Sequence, residues 1–196
     1  MDQLLTEIRA CTHCAAHLPH GPRPIVQASA AARILVIGQA PGSKVHASGV
    51  PWQDDSGNRL FDWLGLDSVR FHDPALVALM PMGFCYPGSD GHADKPPRSE
   101  CAPLWHERMI AALPDVSLIL LIGGHAQLRY LPDWKKLRMT ERVQRWREAP
   151  APYLPLPHPS WRVVRWMKQN PWFEAEVLPD ARMRVAAALA VDPPTG

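Results

Sequence analysis

The sequence predicts an α/β fold on a central, mostly parallel four-stranded sheet. Four short runs, at residues 33–37, 76–80, 116–122 and 153–156, have strand length and are largely apolar without alternation, as in strands buried on both faces. Segments with apolar residues at helical spacing lie between them, and such alternation is the pattern of a parallel sheet. The chain has 196 residues, 46% of them hydrophobic and 20% charged. It is long enough to bury a full core and too apolar for wholesale disorder.

The elements follow in order. Residues 2–10 read as a short helix ending at a first pair of cysteines, and 15–32, rich in Pro, Ala and His, as a connecting loop. The first strand, 33–37, is stopped by Gly38, and a polar, Gly-containing loop runs to about Gly57. Residues 59–66 have helical spacing, 76–80 form the second strand, and 86–100 are loop by composition. Residues 100–113 read as an amphipathic helix. The clearest strand, 116–122, runs into Gly123 and Gly124 and then a helix from about His125. Residues 133–149 are basic and helix-compatible, 153–156 form the last strand, and 171–189 a terminal helix. One domain is expected over 1–196, with 1–32 as its N-terminal helix and loop. Ligands of such sheets bind at the carboxyl ends of the strands, which singles out the loops 38–42, 81–85 and 158–162.

Composition narrows the class. Pro 22 is about twice the usual share of ~5%, and Trp 8 exceeds half of the aromatics. The prolines are scattered and no periodic glycine accompanies them, which excludes collagen and argues against a disordered proline tract. Stiff loops with large indole faces remain. The N-terminus has no charged leader followed by a long apolar stretch, and the run 116–123 is too short to span a bilayer. A cytoplasmic protein away from membranes is expected. Charge is uneven: residues 129–168 carry 10 Lys/Arg against 3 Asp/Glu, net +7, while 1–128 carry 9 against 12, net −3. A basic block suits a phosphate backbone; a solvated helix face is the alternative.

Four cysteines are too few for a disulfide scaffold, and the cytosol would keep them reduced. Cys11 and Cys14 form a C-x-x-C, and Cys85 and Cys101 follow in or beside loops. Four thiolates can complete a four-coordinate shell, as zinc or an iron–sulfur cluster requires.

Five motifs then resemble one family. They are ILVIGQAPG at 34–42, SGVPW at 48–52, the cysteine pattern, LILLIGGHA at 118–126, and HPS at 158–160. Together, in this order over residues 11–162, they resemble the uracil-DNA glycosylase superfamily, and within it the iron–sulfur branch called family four. The resemblance implies a three-layer α/β/α sandwich and a DNA repair enzyme, and a monomer is expected. Such an enzyme flips uracil or another deaminated base out of the stack and hydrolyses its N-glycosidic bond. It implies a 4Fe-4S cluster on Cys11, Cys14, Cys85 and Cys101, with structural zinc as the alternative.

The resemblance also assigns roles. His158 would donate to the leaving base, between two prolines that stiffen its loop. Trp52 would stack on the flipped base, an indole face being a sequence-tolerant platform. Gly38, Gln39, Ala40 and Gly42 would bring backbone to the base, with Gln39 orienting water or touching the base. Ser160 would meet phosphate. Trp161 or Arg162 would enter the helix, and Arg165 and Trp166 extend that basic-aromatic stretch.

Three positions depart from the family pattern. Family four has Glu where this chain has Gln39, and other branches have Asp where it has Ala40, so the usual water-activating carboxylate is missing. Asp54 and Asp55 are the substitutes, or else cap the next helix, which Asp does well. Pro81 stands where family four has an Asn that reads the uracil edge. A related branch traps the sugar with a histidine in the loop that here holds His92; without the accompanying basic run, His92 reads as solvated. A DNA-binding member of the fold with weak or no glycosylase activity is therefore the competing expectation.

Overall fold

The computed structural model describes residues 1–91 and 93–190; His92 lies outside the described residues. The elements, in chain order, are α1 (Asp2–Arg9), β1 (Ile34–Ile37), α2 (Ser43–Ser48), α3 (Asp55–Leu64), α4 (Ser68–Phe71), β2 (Val77–Leu79), α5 (Cys101–Ala111), β3 (Leu118–Ile122), α6 (Gly124–Tyr130), α7 (Met139–Gln144), β4 (Tyr153–Leu156), α8 (Val163–Gln169) and α9 (Leu178–Ala190).

The four strands make one all-parallel sheet in the order β2-β1-β3-β4. Ile34 of β1 pairs in register with Val77 of β2 on one side and Leu118 of β3 on the other. Alternate side chains take opposite faces. Ile34 and Val36 pack with Leu60 and Leu64 of α3, with Phe173 and Val177 just before α9, and with Leu178, Ala181, Val185 and Ala188 of α9. Leu35 and Ile37 pack with Ile8 of α1, Met109 of α5 and Ala126 of α6. Helices thus cover both faces, which is why the strands are apolar at every position. The sheet flanked by helices is the α/β architecture expected from the sequence.

The chain leaves β1 toward β2, then crosses back to the other side of β1 to form β3. That reversal puts a switch point between the carboxyl ends of β1 and β3, where ligands of open α/β sheets bind.

Several elements differ from expectation. The loop 38–57 holds α2, six residues long, and α4 follows α3; both are shorter than the window in which a helical period shows. The basic stretch 133–149 is not one helix. Short 3-10 turns at Pro132–Trp134 and Trp146–Glu148 flank α7, because its buried side chains are confined to Arg142, Val143 and Trp146. The terminal helix begins with a π-helical turn at Phe173–Val177 before α9. Among the described residues, no helix is long and apolar enough to cross a membrane.

Candidate active site

The loops leaving the four strands meet at one end of the sheet and are tied to one another. Met82 N–H donates to Gly38 O (2.9 Å) and Gly83 N–H to Gln39 O (3.0 Å), joining the loops after β2 and β1. Buried His106 of α5 holds the Pro81 carbonyl at 3.1 Å and the Tyr130 hydroxyl at 2.6 Å. A carbonyl can only accept, so Nε2 carries the ring hydrogen and Nδ1 accepts from Tyr130. Burial lowers the His106 pKa to about 4, so the ring is neutral near pH 7.

The H-P-S loop after β4 is held from two sides. Gln127 Nε2 donates to Leu156 O (2.9 Å), and its Oε1 accepts from Arg142 Nε (3.0 Å). Arg142 is itself buried; one charge of the basic block therefore braces the loop rather than facing solvent. Arg59 of α3 donates to Pro159 O at 2.7 Å. Gly123, at φ +85°, passes close behind the loop: a Cβ there would lie 3.3 Å from the His158 Cβ.

Trp52 faces His158, with ring centroids 6.0 Å apart and planes 29° from parallel. Its backbone is left-handed (φ +58°), a strained conformation for an aromatic residue. Two glycines make room for it. A Cβ on Gly38 would stand 2.8 Å from the indole Cζ2, and one on Gly57 would stand 1.7 Å from the Trp52 carbonyl oxygen. Asp54 accepts from Gly57 N–H (2.8 Å), capping α3 directly after the turn.

These parts enclose a cleft of about 520 Å³, of the size a small-molecule site needs. Gln39, Ala40, Gly42, Trp52, Asp54, Pro81, His158, Ser160, Trp161 and Arg162 all line it, so residues read separately from the sequence converge. His158 is half-buried; desolvation lowers its pKa, against an upward pull from Asp54 and Asp94. Gly38 lies beneath the Trp52 ring.

Some expected site residues are elsewhere. Asp55 points to solvent, paired with Lys44 at 3.2 Å, and its side chain is 87% exposed. It is not brought to the cleft, because it begins α3 on the turn's outer side. Arg165 lies in a neighbouring surface groove with Trp161, Arg162 and Lys168. Trp166 is corrected as a base- or backbone-facing ring. It donates to Thr140 Oγ1 (2.8 Å) and packs edge-on against Trp172 and Phe173, since the chain after the H-P-S loop folds into α8. Trp161 remains 75% exposed, with Arg162 over its ring at 5.0 Å.

Sequence reasoning missed Asp94, Lys95 and Ser89, which reach the cleft from the loop between Cys85 and Cys101. It also missed Arg59 and His106. Loop composition carries no signal for Asp94, and Arg59 acts on a residue 100 positions away.

The four cysteines are free thiols and line one small apolar pocket with Ile8, Leu18, Phe84 and Trp105. Burial pushes Cys85 up to about 11 and Cys101 up to about 12, and the other thiols add to both. Arg98 lines the same pocket, and its Nε is buried without a partner. In donor chemistry, four sulfurs with an unanswered N–H beside them suit an anionic metal–thiolate group. Among the described residues, however, no group of three or more His, Cys, Asp or Glu side chains is so placed that it could hold a metal ion.

Sheet and cleft together define an α/β protein with a small-molecule-sized site at the carboxyl ends of its strands. The model of the Uracil DNA glycosylase superfamily matches residues 26–182. The chain belongs to that superfamily, whose members are typically DNA glycosylases. Cys11 and Cys14 precede the matched span.

Proposed function

We propose that this protein is a base-excision glycosylase that turns uracil or a related deaminated base out of DNA and hydrolyses its N-glycosidic bond. The observation that carries this reading is the Trp52–His158 pair, an aromatic face and a hydrogen-bond donor on one cleft between tied loops. Breaking the bond leaves positive charge on the sugar and negative charge on the base. A fixed donor aimed at the base is therefore worth most as that charge develops. Burial lowers the His158 pKa, and a ring N–H can donate to the base. Trp52 holds the base by stacking. Gln39 lines the same space and orients water or contacts the base. Asp54 faces it too, and its charge pulls the His158 pKa upward, against the effect of burial.

Ser160, Trp161, Arg162 and Arg165 form the surface for DNA, with Ser160 toward phosphate and the exposed Trp161–Arg162 pair as the wedge. The enzyme acts as a cytoplasmic monomer. Cys11, Cys14, Cys85 and Cys101 would hold a 4Fe-4S cluster of the family-four kind. Thiolate bonds to such a cluster would tie the segment after α1, through Cys11 and Cys14, to Cys85 and to Cys101 at the start of α5. Colour separates the two metals: a brown protein absorbing near about 400 nm carries iron–sulfur, whereas a colourless one with stoichiometric zinc carries the structural ion.

Pro81 in the cleft wall favours a second reading, since proline offers no donor to the base edge. That reading is a DNA-binding member with weak or no excision. One assay decides. Single- and double-stranded oligonucleotides carrying uracil or hypoxanthine are incubated with protein, then cleaved with alkali. Strand breaks at the modified base support the glycosylase; DNA binding with no break on any substrate leaves the binding reading.

A further inference from the structure

We propose that Asp94 is the catalytic carboxylate that takes the proton of the attacking water, a role that rests on the glycosylase reading of the cleft. The motif after β1 offers Gln39 and Ala40 and no carboxylate. Among the described residues, two carboxylates line the cleft, Asp54 and Asp94. Asp54 has its Oδ1 committed to the Gly57 N–H at the start of α3. Asp94 comes from the other side, on a short hairpin. Lys95 N–H donates to Gly88 O (2.8 Å), Asp90 N–H donates to Ala93 O (3.1 Å), and Ser89 pairs with Asp94 itself.

Three observations place the Asp94 carboxylate over the reacting space. Its Oδ2 stands 3.3 Å from where a Cβ on Gly42 would lie, so it overhangs the loop after β1. Tyr86 lies close enough that the Asp94 charge helps to raise the phenol's pKa, after the larger effect of burial. Its charge reaches His158, the proposed donor to the leaving base. Carboxylate and imidazole thus serve opposite ends of one bond.

The step balances without a co-reactant other than water. The water oxygen bonds to the sugar C1′ while the C1′–N bond breaks, its electron pair departing on the base. Asp94 accepts the water proton and passes it to solvent, and the base, steadied by His158, takes a proton from solvent.

The test is single-turnover excision by the full-length, metal-loaded protein on whichever base the wild type removes. Asp94→Asn is expected to lower the rate by about 10²–10⁴-fold, the usual reach of general base catalysis, with unchanged DNA affinity by fluorescence anisotropy. Asp94→Glu recovers part of the rate. Added formate accelerates Asp94→Ala and not the wild type, because a small carboxylate can enter the vacated space. Excision by Asp94→Asn at the wild-type rate overturns the role. So does a rate loss matched by lost DNA affinity without formate rescue. A wild-type protein that excises no base overturns the glycosylase reading itself, and this role with it.

Discussion

The Trp52 indole and the His158 imidazole sit 6.0 Å apart, centroid to centroid, with planes 29° from parallel. The rings are already at aromatic contact distance.

That arrangement makes His158 separable from the fold. His158→Ala is expected to cost about 10²–10³-fold in single-turnover excision, the range for losing one donor to a developing anion. Its melting temperature should stay near wild type. Retained excision removes the role assigned to His158.

Arg59 acts one step behind. Its guanidinium donates to the Pro159 carbonyl beside His158. Arg59→Ala forfeits a charge-assisted hydrogen bond of about 1.5–3 kcal/mol. Calorimetry should show a lower melting temperature, and kinetics a slower excision step with DNA affinity largely kept. A variant that loses DNA affinity instead would assign Arg59 to the phosphate backbone.

The surface beyond the cleft is tested by salt. Arg162 and Arg165 are exposed beside Trp161. If both meet phosphates, the double Ala variant weakens duplex binding and reduces the log–log salt slope by roughly 2, about 0.9 per contact. An unchanged slope places DNA elsewhere.

His106 gives the protein an acid sensitivity of known sign. Its folded pKa of about 4 lies below the ordinary 6.5 because burial disfavours the charged ring. Between these values the unfolded chain binds the proton more readily, so stability is fully present above pH 6.5 and falls as pH drops toward 4. At about 1.4 kcal/mol per pH unit of difference, the loss is roughly 3 kcal/mol. His106→Gln should flatten this part of the melting-temperature profile between pH 7 and pH 4. An equally steep profile shows that other groups set it.

The sheet was legible because each strand is buried on both faces, and that leaves continuous apolar runs such as the LILLI of β3. The site was legible where its parts lie within a few residues of a strand end, as Gln39 does after β1 and His158 after β4. Asp55 shows the limit: adjacent to Asp54 in sequence, it turns to the opposite side of the α3 start, and spacing cannot tell the two apart. Asp94 and Arg59 were hidden for another reason. Their function is a distance to a residue far along the chain, and neither sits in a local pattern that encodes it. Trp166 was misread because α8 turns it onto Phe173, a packing choice the flanking arginines do not announce.

The two glycines beneath Trp52 carry a consequence for inherited variation. One added methyl at Gly57 would overlap the Trp52 carbonyl, and one at Gly38 would press into its ring. Neither glycine handles a proton or touches the sugar. In a saturation mutagenesis screen scored on base removal, both positions should nonetheless tolerate as little as His158. A map of intolerance alone would then mark the space left for one tryptophan as strongly as the chemistry beside it.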